Sequence, residues 1–190
     1  DLWSAMWSYK DHGKDRELVA NPVAGNAFRW LHASFGTNFR LTEMQAAIGL
    51  KQLRKLPQWF AERRRNAALL NQMLGDLPGL RCTIPPAEVG HAYYKYYAFI
   101  RPDHLRSGWT RDRIVAEVNA AGVPCFTGTC PEIYREQAFA DTGLGPKTAL
   151  PNAHWLGECS IMLQTDHTFD DYAIRTMANT VKGVLVAELF

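Results

Sequence analysis

With 190 residues of ordinary apolar content, the chain can build one good core, or a small domain plus part of another. A net charge of +2 argues against a nucleic-acid or membrane-surface partner, no apolar run approaches a transmembrane span, and no signal peptide is visible. The four cysteines (Cys82, Cys125, Cys130, Cys159) are scattered without a C-x-x-C pair, which reads as buried or idle thiols in a reducing cytoplasm and not as disulfides or a metal site.

The chain opens on Asp1, not Met, so a piece of a longer product is expected. Leu2, Trp3, Met6, Trp7 and Tyr9 fall near helical spacing, with Gly13 as C-cap. From Lys14 to Phe35 the pattern breaks into a long loop marked by Asn21-Pro22 and Gly25-Asn26, in which Trp30 and His32 are read as packing residues. Residues 34–49 then run Ser-Phe-Gly-Thr-Asn-Phe-Arg-Leu-Thr-Glu-Met-Gln-Ala-Ala-Ile-Gly. Thr42 with Gln45 fits a capping box, predicting a helix to about Lys55. Before the cap, alternation places Asn38 and Arg40 on one face and Phe39 on the other. An amide and a guanidinium beside a helix start can form an anion site; a polar turn that merely starts a helix fits equally well.

Leu56-Pro57 should interrupt that helix and start a second one over 57–74, with Phe60, Ala67, Leu70 and Leu74 as its buried stripe and Gly75 at its end. Glu62-Arg63-Arg64-Arg65 lies on it. Consecutive residues fan around a helix, so a solvated or ion-paired face is favoured over a nucleic-acid patch. Asp76-Leu77-Pro78-Gly79 is the natural hinge between two domains. Beyond it, strands are predicted at Leu80–Ile84, Tyr93–Arg101, Val123–Thr127 and Ser160–Gln164. Helices are predicted over 111–121, capped by Thr110 and closed by Gly122, from Pro131, from Pro151, and finally from Thr168 with Asp171. Asp141–Pro146 reads as a loop. Ile174, Met177, Val181 and Leu185 form the apolar stripe of the last helix, so the second half is a sheet of about four strands covered by helices.

The stretch Gly36-Thr37-Asn38-Phe39-Arg40-Leu41-Thr42-Glu43-Met44-Gln45-Ala46-Ala47-Ile48-Gly49 resembles the G-x-N-[YF]-R-[ML]-[ST]-x-x-Q-A-A-[IL]-G block of the DegT/DnrJ/EryC1/StrS family of pyridoxal-phosphate (PLP) sugar aminotransferases. Trp7–Gly13 resembles that family's segment ending in H-G, His91-Ala92-Tyr93-Tyr94-Lys95-Tyr96 its H-x-Y-x-x-Y strand, and Leu150-Pro151 onward its C-terminus. The resemblance implies an α/β chain of the fold-type I PLP-transferase class. Residues 1–56 would be the tail of the large cofactor-binding domain, 57–78 a linking helix and hinge, and 79–190 the small C-terminal α/β domain. It also implies a cytoplasmic homodimer acting on a nucleotide-linked keto-sugar with an amino-acid donor. Asn38 would reach the PLP phosphate of the neighbouring subunit, Arg40 would lie near the cofactor or the substrate phosphates, and His91 and Tyr93 would touch the nucleotide-sugar. For His91 a strand-edge histidine, and for Tyr93 a sheet-packing aromatic, are equally open.

A PLP transaminase needs a lysine for the Schiff base and a carboxylate on the pyridine nitrogen. The family's S-x-x-K-x-[LI]-x-x-G-E-G-G segment has no match here, nor has the aspartate segment. No catalytic residue is therefore assigned, and the chain alone is expected to be inactive. The chain departs from the family at Gln164-Thr165-Asp166-His167, where a Pro-rich turn is usual, and at Thr129-Cys130-Pro131, where Tyr-Pro is common. Adjacent Asp166 and His167 are not read as an acid–base pair. Alternatives are a PLP sugar dehydratase of the same family, a non-catalytic binding module, and a nucleic-acid binder through Arg63–Arg65.

Overall fold

The computed structural model describes residues 1–21, 30–140 and 142–187. It falls into two units, Asp1–Lys55 and Leu56–Phe190.

In the first unit, α1 (Leu2–Lys10) starts where the Asp1 side chain accepts the Ser4 N–H at 2.8 Å. The expected loop after Gly13 contains a short helix, α2 (Arg16–Ala20), because Asp15 accepts from both Glu17 and Leu18 N–H groups. Pro22, Gly25 and Asn26 lie outside the described residues. Trp30 is exposed rather than packed, and so is His32; Leu31 between them turns inward. Among the described residues of this unit, Leu31 is the one buried apolar side chain. Leu2, Trp3, Met6 and Tyr9 of α1 are exposed, as are Met44, Ile48, Leu50 and Leu53.

The helix opened at Thr42 does not stop at Leu56. It runs as α3 from Glu43 to Leu74 with Pro57 inside it. Proline in a helix interior costs about 3 kcal/mol, chiefly a lost N–H and ring crowding. Gln58 bonds Glu62 one turn on at 3.0 Å, and Ala67, Leu69, Leu70 and Leu74 anchor the far end by full burial. Local disfavour at one residue loses to that packing.

In the second unit, β1 (Leu80–Cys82), β2 (Tyr96–Ile100), β3 (Cys125–Phe126) and β4 (Ser160–Leu163) form a four-stranded sheet ordered β1-β2-β4-β3, antiparallel throughout. Each strand is shorter than the alternation predicts. The register sets Leu80 opposite Ile100, Ala98 opposite Ile161, and Leu163 opposite both Tyr96 and Cys125. This face packs on Leu70 and Leu74 of α3, on Ile114 and Val118 of α4 (Arg111–Ala120), and on Ile174, Val181 and Leu185 of the last helix. Thr110 caps α4 as expected, accepting from Arg113 N–H. From Pro131, two 3-10 turns (Ile133–Arg135 and Gln137–Phe139) replace the expected helix, and Asp141 in the loop that follows is outside the described residues. After them, α5 (Pro151–Cys159) runs straight into β4. The last helix, α6 (Asp171–Ala187), is capped by Asp170, which accepts from Ala173 N–H, and not by Thr168, whose hydroxyl is taken by Asp166. Cys125 and Cys159 are buried and Cys130 is exposed.

Candidate functional site

In the first unit the Asn38 turn is built by close backbone approach. Gly13 (φ 83°) and Gly36 interlock: a Cβ on Gly36 would sit 2.4 Å from Gly13 N, and one on Gly13 would overlap the Ser34 carbonyl. The strip 37–39 lies against the end of α1, with Thr37 N–H on Tyr9 O at 2.7 Å, Phe39 N–H on Lys10 O at 2.9 Å and Asp11 bridged to Asn38. Thr42 and Gln45 close the capping box: Thr42 N–H donates to Gln45 Oε1 at 3.0 Å and Gln45 N–H to Thr42 Oγ1 at 3.3 Å. Asn38 is exposed. Its Oδ1 accepts the Arg40 N–H, and its Nδ2 has no acceptor among the described residues. Arg40 is engaged differently, with its guanidinium on the Asp11 carboxylate, which also pairs with Lys14 at 3.3 Å. Asp11 is a member of this turn that sequence reading passed over, although it sits inside the quoted H-G segment.

In the second unit, His91 and Tyr93 come together on one groove of about 280 Å³, with Thr83, Pro85, Lys95, Tyr97 and Phe99. Alternation along β2 supplies one wall: Tyr96, Ala98 and Ile100 go to the core, so Tyr97 and Phe99 face the other way, while His91 and Tyr93 lie before the strand, where Tyr93 turns left-handed (φ 46°) instead of starting β2. The His91 and Tyr93 rings meet edge-on, 4.4 Å between centroids. Tyr93 N–H donates to His91 Nδ1 at 3.1 Å, which leaves Nε2–H as the donor of the neutral ring. Arg81 lies over Phe99 at 4.3 Å. The Tyr97 hydroxyl accepts the Thr129 N–H at 3.1 Å, so Thr129, one of the residues departing from the family pattern, borders this groove.

A second groove, about 350 Å³, shares Lys95 and is lined by Arg63, Tyr94, Gln164, Asp166 and Phe169 among others. The arginine run faces ion pairs and rings here: Arg63 holds the Asp166 carboxylate, Arg65 reaches the Phe169 carbonyl at 3.0 Å, and Arg64 covers Phe60. Burial pushes the Asp166 carboxyl up, but the Thr168 N–H and hydroxyl and the Arg63 charge outweigh it and hold the carboxyl below its ordinary value. His167 stacks on Trp59, ring centroids 4.5 Å apart. Beyond the grooves, the nearly buried Glu132 carboxylate takes the Tyr134 hydroxyl, His154 Nδ1 at 2.9 Å and Arg135 at 3.2 Å. No three His, Cys, Asp or Glu side chains among the described residues are grouped to hold a metal. No described helix is long and apolar enough to cross a membrane.

A family model described as the DegT/DnrJ/EryC1/StrS aminotransferase family matches residues 1–182. The solved aminotransferase of Psychrobacter cryohalolentis is 41% identical, with a TM-score of 0.86, over 98% of this chain and 49% of its own. The Helicobacter pylori aminotransferase PseC, involved in pseudoaminic acid biosynthesis, is 20% identical over 96% of this chain and 45% of its own, with a TM-score of 0.78. The Escherichia coli GDP-4-keto-6-deoxy-D-mannose-3-dehydratase, solved with hydrated PLP, is 22% identical over 95% and 47%, with a TM-score of 0.77. At such identities the last two bear on fold alone. The chain spans about half the length of these solved structures.

Proposed function

The chain belongs to the DegT/DnrJ/EryC1/StrS aminotransferase family, and on that footing we propose that it forms the C-terminal part of a PLP-dependent enzyme moving an amino group from an amino acid to a nucleotide-linked keto-sugar. Residues 1–56 then belong to the large cofactor-binding domain of a fold-type I transferase, 57–78 link, and 79–190 form the small domain. The working enzyme is a cytoplasmic homodimer. PLP, when bound, supplies the electron sink for the transfer.

The observation that carries this reading is the Asn38 turn. Two interlocked glycines and a capping box hold an exposed amide whose N–H donors meet no described acceptor, which suits an incoming phosphate oxygen. Asn38 fits that duty better than Arg40, since one guanidinium nitrogen of Arg40 is already given to Asp11. Arg40 retains further donors and bears on the cofactor or the substrate phosphates. His91 and Tyr93 bind the nucleotide-sugar: the Nε2–H donates to a sugar or phosphate oxygen, and the aromatic walls exclude water. Transfer and dehydration differ in the residue at the Schiff-base position, which these 190 residues do not contain.

Two measurements test the reading. In the full-length enzyme, Asn38→Ala should lower PLP retention on dialysis about tenfold, the worth of one charge-assisted hydrogen bond; unchanged retention removes the phosphate role. The 190-residue chain mixed with PLP should develop no lysine-dependent absorbance band and no transaminase activity.

A further inference from the structure

Tyr93 carries a left-handed backbone, φ 46°, a conformation that strains a bulky residue and persists only where its surroundings over-determine it. Two hydrogen bonds do so. Its N–H goes to His91 Nδ1 at 3.1 Å, and its carbonyl accepts the Thr165 hydroxyl at 2.6 Å. Thr165 is wholly buried, so its hydroxyl is desolvated and spent on this one carbonyl. The next carbonyl, that of Tyr94, accepts from Arg63 at 3.2 Å, and Arg63 also grips Asp166. Asp166 is itself pinned, its backbone carbonyl accepting from the buried Asn66 amide at 2.8 Å. Consecutive carbonyls at 93 and 94 are thus tied to consecutive residues 165 and 166, just past the end of β4.

We propose that Thr165 is a positioning residue for the His91–Tyr93 pair. By holding the Tyr93 carbonyl it keeps the turn left-handed, aims the Tyr93 N–H at His91 Nδ1, and so fixes the imidazole as its Nε2–H tautomer on the groove wall. The proposal rests on the nucleotide-sugar reading only for the identity of the ligand; the positioning itself does not need it. Without the buried Thr165 hydroxyl the Tyr93 carbonyl loses this partner, the turn relaxes, and the His91 ring is free to exchange tautomers.

Thr165→Val, which keeps the shape and removes the donor, and Thr165→Ser, which keeps the donor, are compared in the 190-residue chain by ¹⁵N NMR of the His91 ring and amide exchange at Tyr93. The parent and serine chains should show an acceptor Nδ1 and a protonated Nε2. The valine chain should lose that signature and exchange the Tyr93 amide about tenfold faster, the loss of one hydrogen bond, while the core amides of Ile161 and Leu163 are unchanged. An unaltered His91 signature in the valine chain, or no rescue by serine, overturns the proposal. Should valine prevent folding, the parent decides: a slowly exchanging Thr165 hydroxyl proton supports the bond, and a freely exchanging one overturns it. Titration of the full-length enzyme and its Thr165 variants with UDP-N-acetylglucosamine and dTDP-glucose separates the two claims. Binding by parent and serine chains with loss in valine supports both, whereas no binding by the parent alongside the NMR result retires the ligand reading and leaves the positioning standing.

Discussion

Tyr97 and Gly128 show how one residue's freedom sets a groove wall. Gly128 sits at φ 101°, and a Cβ there would come within 2.5 Å of Tyr97 Cε1. That contact lets the chain after β3 lie on the ring and bring the Thr129 N–H to the phenol. Gly128→Ala should therefore destabilise the chain by about 1–3 kcal/mol, from backbone strain and the clash together, read as a lowered urea midpoint with unchanged m. A neutral result would mean both that Tyr97 swings aside and that the backbone at 128 relaxes out of its positive φ. At this scale the sequence is readable where both partners are close in the chain: Thr42 with Gln45 needs only three residues of spacing. Asp11 with Arg40, Thr165 with Tyr93 and Arg63 with Asp166 are joined by the fold alone, and nothing in local pattern announces them.

Among elements, the tie between the 3-10 turn at 133–135 and α5 rests on Glu132. The Tyr134 hydroxyl, His154 and Arg135 outweigh burial and hold its carboxyl down at about 2, against an ordinary 4.5. A depressed folded-state value means stability that is fully present above about 4.5 and lost as the pH falls toward 2. Glu132→Gln should flatten that part of the acid limb: between pH 4.5 and 2 its urea midpoint should fall less steeply than the parent's. Equal slopes would show that other carboxylates govern the limb. The succession of strands and of the main helices in the second unit followed from apolar periodicity, since β2 buries alternate residues and α3, α4 and α6 each bury one stripe, while β4 is a short apolar run buried on both faces. The ends were less legible. Pro57 predicts a break that packing overrides, and Thr168 predicts a cap that Asp166 takes for itself, leaving the duty to Asp170.

Across the whole molecule, the two units differ in what they bury. The second has a continuous core of α3, α4, α6 and the sheet, while the first buries Leu31 and leaves α1 and the start of α3 with bare apolar side chains. Brief trypsin treatment of the 190-residue chain should therefore remove the leading 55 residues first and leave a resistant piece beginning near Leu56, identified by mass. Cuts spread evenly through both units would contradict this. The composition gave no sign of that difference, because apolar content is set by residue type and burial by neighbours. For the leading unit, stability is then tied to whatever covers Leu2, Trp3, Met6, Met44 and Ile48: it is shared with the rest of the large domain where that cover is the same polypeptide, and it scales with concentration where the cover is a second molecule. Calorimetry of that meeting would register it as a negative heat-capacity change.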